Sequence, residues 1–108
     1  MGTLTLADLR RALEELHAAA DAPAYRTPAG IDGLKRAIVT AVPVLRHGFD
    51  LPAELEARRG RLWADCETMI RIQDYLAVHP DSRIQQAADT MARSLLQQAR
   101  ELKVQLRM

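Results

Sequence analysis

Apolar residues recur every three or four positions through most of the chain, the spacing that places side chains on one face of an α-helix. The first such segment extends from about residue 5 to residue 21, with the apolar series Leu6, Leu9, Leu13, Leu16 and Ala20. Thr5 followed by Asp8 resembles a capping box, with Asp in place of the usual Glu. The pattern predicts an amphipathic first helix with a defined start.

A second apolar series follows a segment rich in proline and glycine: Ile31, Leu34, Ile38, Val42 and Leu45. It predicts a second helix over about 31–47. Thr27 with Pro28 resembles a helix start, and so does Asp32 with Gly33. These two signals leave the first residue of the helix open.

The run 37–45, "AIVTAVPVL", is rich in β-branched residues and contains Pro43. A buried strand is the alternative there, but the sequence offers no second strand to pair with it, so we favour a helix. Pro43 lacks the amide donor that a helix interior uses, and would either kink this helix or end it. The pattern leaves those two outcomes open.

Two longer helical segments cover about 51–78 and 82–106, and His79-Pro80 separates them. Each would be roughly 40 Å long at 1.5 Å per residue, and so short a link forces them to lie antiparallel. The pattern therefore predicts that residues 1–108 form one all-α domain. Its expected architecture is a small four-helix bundle with a long antiparallel hairpin formed by the third and fourth helices.

Short polar residues that can cap a helix precede both long segments. Asp50 is the candidate cap of the third helix. Asp81 and Ser82 are the two candidates for the fourth.

Composition narrows the class of protein. The formal net charge is +1, which is not the basic excess of a dedicated nucleic-acid binder. A single cysteine permits no internal disulfide, and no apolar run approaches the roughly 20 residues that span a bilayer. The first residues lack the features of a signal peptide. We therefore expect a cytoplasmic protein with no membrane association.

The stretch 56–69, "EARRGRLWADCETM", contains three arginines and the only cysteine. On a helix Cys66 shares a face with the apolar series, so we expect a buried thiol whose acidic neighbours raise its pKa. Each arginine there, and Arg71 beyond it, has a carboxylate at helical spacing. The predicted pairs are Glu54 with Arg58, Glu56 with Arg59, Arg61 with Asp65, and Glu67 with Arg71.

Trp63 and Ile70 lie off the apolar stripe of the third helix. They make the apolar face of the third helix wider than contact with a single neighbouring helix requires. Either the first or second helix covers them, or a partner does, in which case they are interface anchors.

The fourth helix has an organised polar face. Its apolar series is Ile84, Ala88, Ala92, Leu95, Ala99, Leu102 and Leu106. Arg93, Arg100 and Arg107 lie opposite, with Lys103 beside them, and are candidate contacts for an acidic protein or nucleic acid. Leu96 and Val104, also off the apolar series, favour a protein partner over a phosphate backbone.

Tyr25 and Arg26 are candidate partner-binding residues in the connection between the first two helices. A simple crossover between helices explains the same connection without function.

Candidate chemistry is sparse. Glu14-x-x-His17 matches half of a di-metal motif but has no second copy, and Arg11 with His17 matches a loose ribonuclease spacing. No phosphate-binding loop or nucleophile motif is present. We predict no catalytic residue, no metal site and no cofactor.

The sequence therefore favours a non-enzymatic protein–protein interaction module. It would act as a homodimer or other homo-oligomer, or as an adaptor, subunit or inhibitor on a larger protein partner. Nucleic-acid binding through the basic face of the fourth helix is the alternative.

Overall fold

The computed structural model describes residues 4–21, 28–47 and 49–106, and these form four α-helices. The helices are α1 (Leu6–Asp21), α2 (Pro28–Arg46), α3 (Ala53–Val78) and α4 (Ser82–Leu106). No strand occurs in these ranges, and 37–45 lies wholly within α2. The all-α prediction is confirmed.

α2 begins at Pro28, earlier than the predicted residue 31, and continues through Pro43 to Arg46. Proline is well suited to a first helical position, where the amide has no acceptor within the helix. Thr27, the cap predicted with it, lies outside the described residues. Pro43 and Val39 both lie on the exposed face of α2. Because proline has no amide hydrogen, the carbonyl of Val39 lacks its usual hydrogen-bond donor within the helix. Water can hydrate that carbonyl, so the helix tolerates the proline.

The helices form a four-membered ring in which each packs against two neighbours. α1 and α3 each contact α2 and α4, and the opposite pairs make no close backbone contact in the described ranges. Arg58 near the start of α3 meets Glu101 near the end of α4, so these two helices run antiparallel as predicted. The longest dimension of the described structure is 41 Å, which is close to the length of a helix with the 26 residues of α3.

The core consists mainly of leucine and alanine from all four helices. Its fully buried large side chains are Leu9, Leu13, Leu16, Leu34, Ile38, Leu45, Leu62, Met69, Leu95 and Leu102. Three alanines of α4, Ala88, Ala92 and Ala99, are also buried, and small side chains there let helix axes approach closely. Leu6 departs from the predicted stripe, at 41% exposure, because it is the first residue of α1.

The start of α1 is the capping box that the sequence predicts. The Thr5 amide donates to Asp8 Oδ2 at 2.8 Å, and the Asp8 amide donates back to Thr5 Oγ1 at 3.3 Å. The hydrogen bond from the Thr5 amide, then the one from its hydroxyl, lowers the pKa of Asp8. Aspartate therefore fills the role that glutamate usually plays.

The two long helices begin differently. Asp81 caps α4, where its Oδ1 accepts from the amides of Arg83 and Ile84 at 2.8 and 3.3 Å. The prediction that Asp50 caps α3 is wrong, because that helix begins at Ala53 with Pro52 at the cap position and no side-chain cap. The extra residues between Asp50 and Ala53 place the carboxylate beyond reach of the first free amides.

Gln73 is a polar residue on the core face of α3. It is 8% exposed, and its Oε1 is buried with no hydrogen-bond partner among the described residues. A buried polar atom without a hydrogen bond lowers the free energy of unfolding by about 1–3 kcal/mol.

Gln73→Leu is therefore expected to raise the free energy of unfolding by about 1 kcal/mol, because it removes the unsatisfied oxygen and keeps a similar volume. Urea denaturation followed by circular dichroism measures the change. Gln86→Leu, at an exposed position of α4, is the control and should change stability by less than about 0.5 kcal/mol. A loss of stability in Gln73→Leu would contradict the conclusion that the Gln73 side-chain oxygen is buried without a hydrogen-bond partner.

Candidate interaction surfaces

Cys66 lies on the core face of α3 and has no exposed surface. Burial, followed by the charges of Asp65 and Glu67, raises the pKa of its thiol to about 12. A thiolate is the reactive form of cysteine, so this thiol is inert near neutral pH. The prediction of a buried core thiol is confirmed.

Two arginines of α3 form the ion pairs that the spacing predicts. Arg58 lies 3.4 Å from Glu54 and also 3.5 Å from Glu101 of α4. Arg59 lies 2.9 Å from Glu56, and its guanidinium donates to the carbonyl of Leu45. Both arginines therefore join α3 to a neighbouring helix, which local spacing alone did not indicate.

Two of the predicted pairs are wrong. Asp65 accepts from Gln98 Nε2 of α4 at 2.6 Å instead of pairing with Arg61, and Glu67 accepts from Trp63 Nε1 at 3.0 Å instead of pairing with Arg71. An exposed pair within one helix contributes only about 0.2–0.5 kcal/mol, so a better-shielded hydrogen bond displaces it. Within the described ranges Arg61 has no carboxylate partner.

Trp63 and Ile70 are half-buried and pack against the core. Two contacts fix the register of α2 against α3. One is the Lys35–Asp74 ion pair at 2.6 Å, and the other is the hydrogen bond from the Arg59 guanidinium to the carbonyl of Leu45. Trp63 and Ile70 lie between these contacts on the same side of α3, so α2 is the helix that covers them.

Val39 of α2 lies one helical turn from Lys35, and Ile70 lies one turn from Asp74, so the Lys35–Asp74 ion pair places both residues towards the same end of the α2/α3 junction. Val39 is 53% exposed. We call Val39, Trp63 and Ile70 the α2/α3 face. This surface unites two predicted partner-binding residues with a third apolar side chain.

The predicted residues of α4 divide between core and surface. Leu96 is half-buried against the core, whereas Val104 is 65% exposed. Arg93 and Arg100 are exposed and Lys103 is half-buried, and none of the three has an ion pair in the described part of the chain. Arg107, Tyr25 and Arg26 lie outside the described residues.

A groove runs along the outer junction of α3 and α4. One hollow of about 320 Å³ is lined by Arg58, Arg61, Gln98 and Glu101. An adjoining hollow of about 390 Å³ shares Arg58 and Glu101 and adds Arg100, Val104 and Gln105. We call the two hollows together the α3/α4 groove.

The sequence pattern did not indicate this groove, because each arginine of α3 has a carboxylate at helical spacing within its own helix. One signal was present. Arg61 and Gln98 lie about equally far from Pro80, and positions equidistant from the link face each other in an antiparallel hairpin.

Residues considered for catalysis or metal binding are dispersed on α1. Arg11 lines the α1/α2 junction with Asp8 and Glu15, whereas His17 is half-buried and does not line it. Glu14 lies 3.1 Å from Arg10. Over the described residues, no three His, Cys, Asp or Glu side chains are placed to hold a metal ion.

None of the helices, over the residues described, combines the length and apolar character needed to cross a membrane. Comparisons with protein families, curated proteins and solved structures found no match for this chain.

Proposed function

We propose that this protein is a non-enzymatic, cytoplasmic protein–protein interaction module. It acts as an adaptor, subunit or inhibitor on a larger partner, or it pairs with a second copy of itself. The observation that supports the proposal is the α2/α3 face, where Trp63 and Ile70 are half-buried against the core and Val39, one turn from Lys35, is 53% exposed. Tryptophan is enriched among residues that dominate binding energy at interfaces.

The α2/α3 face has the composition of a small interface. Glu67 accepts the indole N–H of Trp63, so the uncovered part of that ring is apolar. The Lys35–Asp74 ion pair lies at one end of the face, and the Arg59–Glu56 pair at the other. An apolar centre with a charged rim is typical of protein–protein contacts.

Val39→Asp tests the proposal without disturbing the core, because Val39 is mostly exposed. A charge buried in an apolar interface should weaken self-association or partner capture at least about tenfold. Light scattering measures the mass against the monomer's 12.1 kDa. Affinity purification from the source organism, with quantitative mass spectrometry, measures partner capture.

Thr40→Asp is the matched control, since Thr40 is the next residue, exposed and β-branched, but turned towards α1. It should leave association unchanged. A strict monomer that enriches no protein would refute the proposal, as would equal behaviour of the two variants. Circular dichroism establishes that both variants are folded.

Nucleic-acid binding through Arg93, Arg100 and Lys103 is the second candidate. It is favoured by the lack of ion pairs at these three side chains in the described structure. It requires affinity for duplex DNA or RNA that falls steeply with salt, and that falls again in Arg93→Glu. Binding that is absent or insensitive to salt would eliminate it.

A further inference from the structure

We propose that the α3/α4 groove binds an acidic, amphipathic segment of a partner protein, an inference that rests on the proposed function. Carboxylates of the segment pair with Arg61 and Arg100, and an apolar side chain packs on Val104. The occupant is identified by charge complementarity and by the exposed apolar wall.

The charge of the groove is unbalanced. Among the described residues, three guanidinium groups line the two hollows, those of Arg58, Arg61 and Arg100, and one carboxylate, that of Glu101. Arg61 and Arg100 have no ion pair within the described residues. The two contacts of Arg58, at 3.4 and 3.5 Å, are long for charge-assisted hydrogen bonds. An incoming carboxylate therefore has two unpaired guanidinium groups and can compete for the third.

The floor of the groove is held in place before anything binds. Gln98 Nε2 donates to Asp65 Oδ2 at 2.6 Å and to Ser94 Oγ at 2.9 Å. Gln97 Nε2 donates to Glu101 Oε1 at 3.0 Å, which fixes the carboxylate that lines both hollows. Preorganised polar groups lower the entropy cost of binding.

The apolar wall and the nearby acids favour a protein segment over a nucleic acid. Val104 is 65% exposed at the edge of the groove. Glu101 within the groove and Glu54 beside Arg58 would repel a continuous phosphate backbone, which needs an unbroken series of cations. Separate carboxylates on a peptide can be placed to avoid those two acids.

Synthetic fluorescein-labelled peptides of 16 residues test the inference by fluorescence anisotropy. One contains Glu and Leu in an amphipathic helical pattern, a second replaces Leu by Ser, and a third replaces Glu by Lys. A 16-base-pair DNA duplex is the nucleic-acid probe. The Glu/Leu peptide should bind most tightly.

The double variant Arg61→Glu with Arg100→Glu should weaken that binding at least about tenfold, because both attractions become repulsions. Arg61→Ala with Arg100→Ala gives a second test with less change in surface charge. The matched control is Arg71→Glu with Arg83→Glu, which makes the same charge change at two exposed arginines of α3 and α4 outside the groove. It should alter the dissociation constant less than about twofold. Val104→Ser should weaken binding about fivefold.

Four results would overturn the inference: no binding of the Glu/Leu peptide at millimolar concentration, equal loss in the control, equal affinity of the Ser-containing peptide, or tighter binding of the duplex. Partner capture separates this failure from that of the proposed function. If Val39→Asp abolishes capture and the groove variant retains it, the interaction module stands and the groove is not its docking site. If the wild-type chain is monomeric and captures nothing, the proposed function fails.

Discussion

Leu95→Ala is expected to lower the free energy of unfolding by about 3 kcal/mol. Leu95 has no exposed surface and lies at the centre of the buried series of α4, between Ala92 and Ala99. Those small neighbours have no atoms with which to fill the space that a lost leucine leaves. The expected loss combines the transfer of the removed carbons with the cost of the cavity. Urea denaturation monitored by circular dichroism measures it.

Val104→Ala is the control on the same helix. Val104 is largely exposed, so its truncation should change stability by less than about 0.5 kcal/mol. If the two variants lost equal stability, the core face of α4 would be assigned incorrectly. The same would follow if Leu95→Ala lost less than about 1 kcal/mol.

The stability of the wild-type chain should fall above pH 9 through the ionisation of Cys66. The pKa of this thiol is about 12 in the folded protein, against an ordinary value of 9.0. Between these values the unfolded chain releases the proton and the folded chain keeps it, so rising pH favours unfolding. The contribution is complete below pH 9 and is lost by about 1.4 kcal/mol per pH unit, or about 2 kcal/mol by pH 10.5.

Cys66→Ala isolates this effect, because the tyrosines and lysines that also titrate at alkaline pH are common to both proteins. The variant should be less stable at pH 7.5 by about 1 kcal/mol, the usual cost of a small cavity. That difference should vanish or reverse by pH 10.5. Parallel stability profiles of the two proteins would show that the thiol is not buried in the folded state.

Local signals predicted much of the fold. The Thr5–Asp8 capping box and the Asp81 cap are set by contacts within four residues, so the sequence contains all their parts. The boundary of α2 was ambiguous because Pro28 and Asp32 are both good starts. Propensity alone does not separate two such starts; the observed helix uses the earlier one.

The candidate surfaces were harder to predict. Spacing along α3 placed Arg61 with Asp65, yet Gln98 of α4 takes that carboxylate at 2.6 Å. Spacing likewise identified Trp63 as off the stripe without revealing which helix lies over it. Both outcomes depend on the register between helices. The spacing of residues within one helix does not determine that register.

The sequence by itself determined the four helices, their apolar faces and the burial of Cys66. These follow from a rotation of about 100° per residue and from contacts across one turn. Only the tertiary structure decided the contacts of α3 with α2, which place Trp63 and Ile70 at that junction, and the meeting of Arg58 and Arg61 with Gln98 and Glu101 in a groove. The reason is that partners from different helices are selected by packing and register across the whole bundle, where many weak contacts compete.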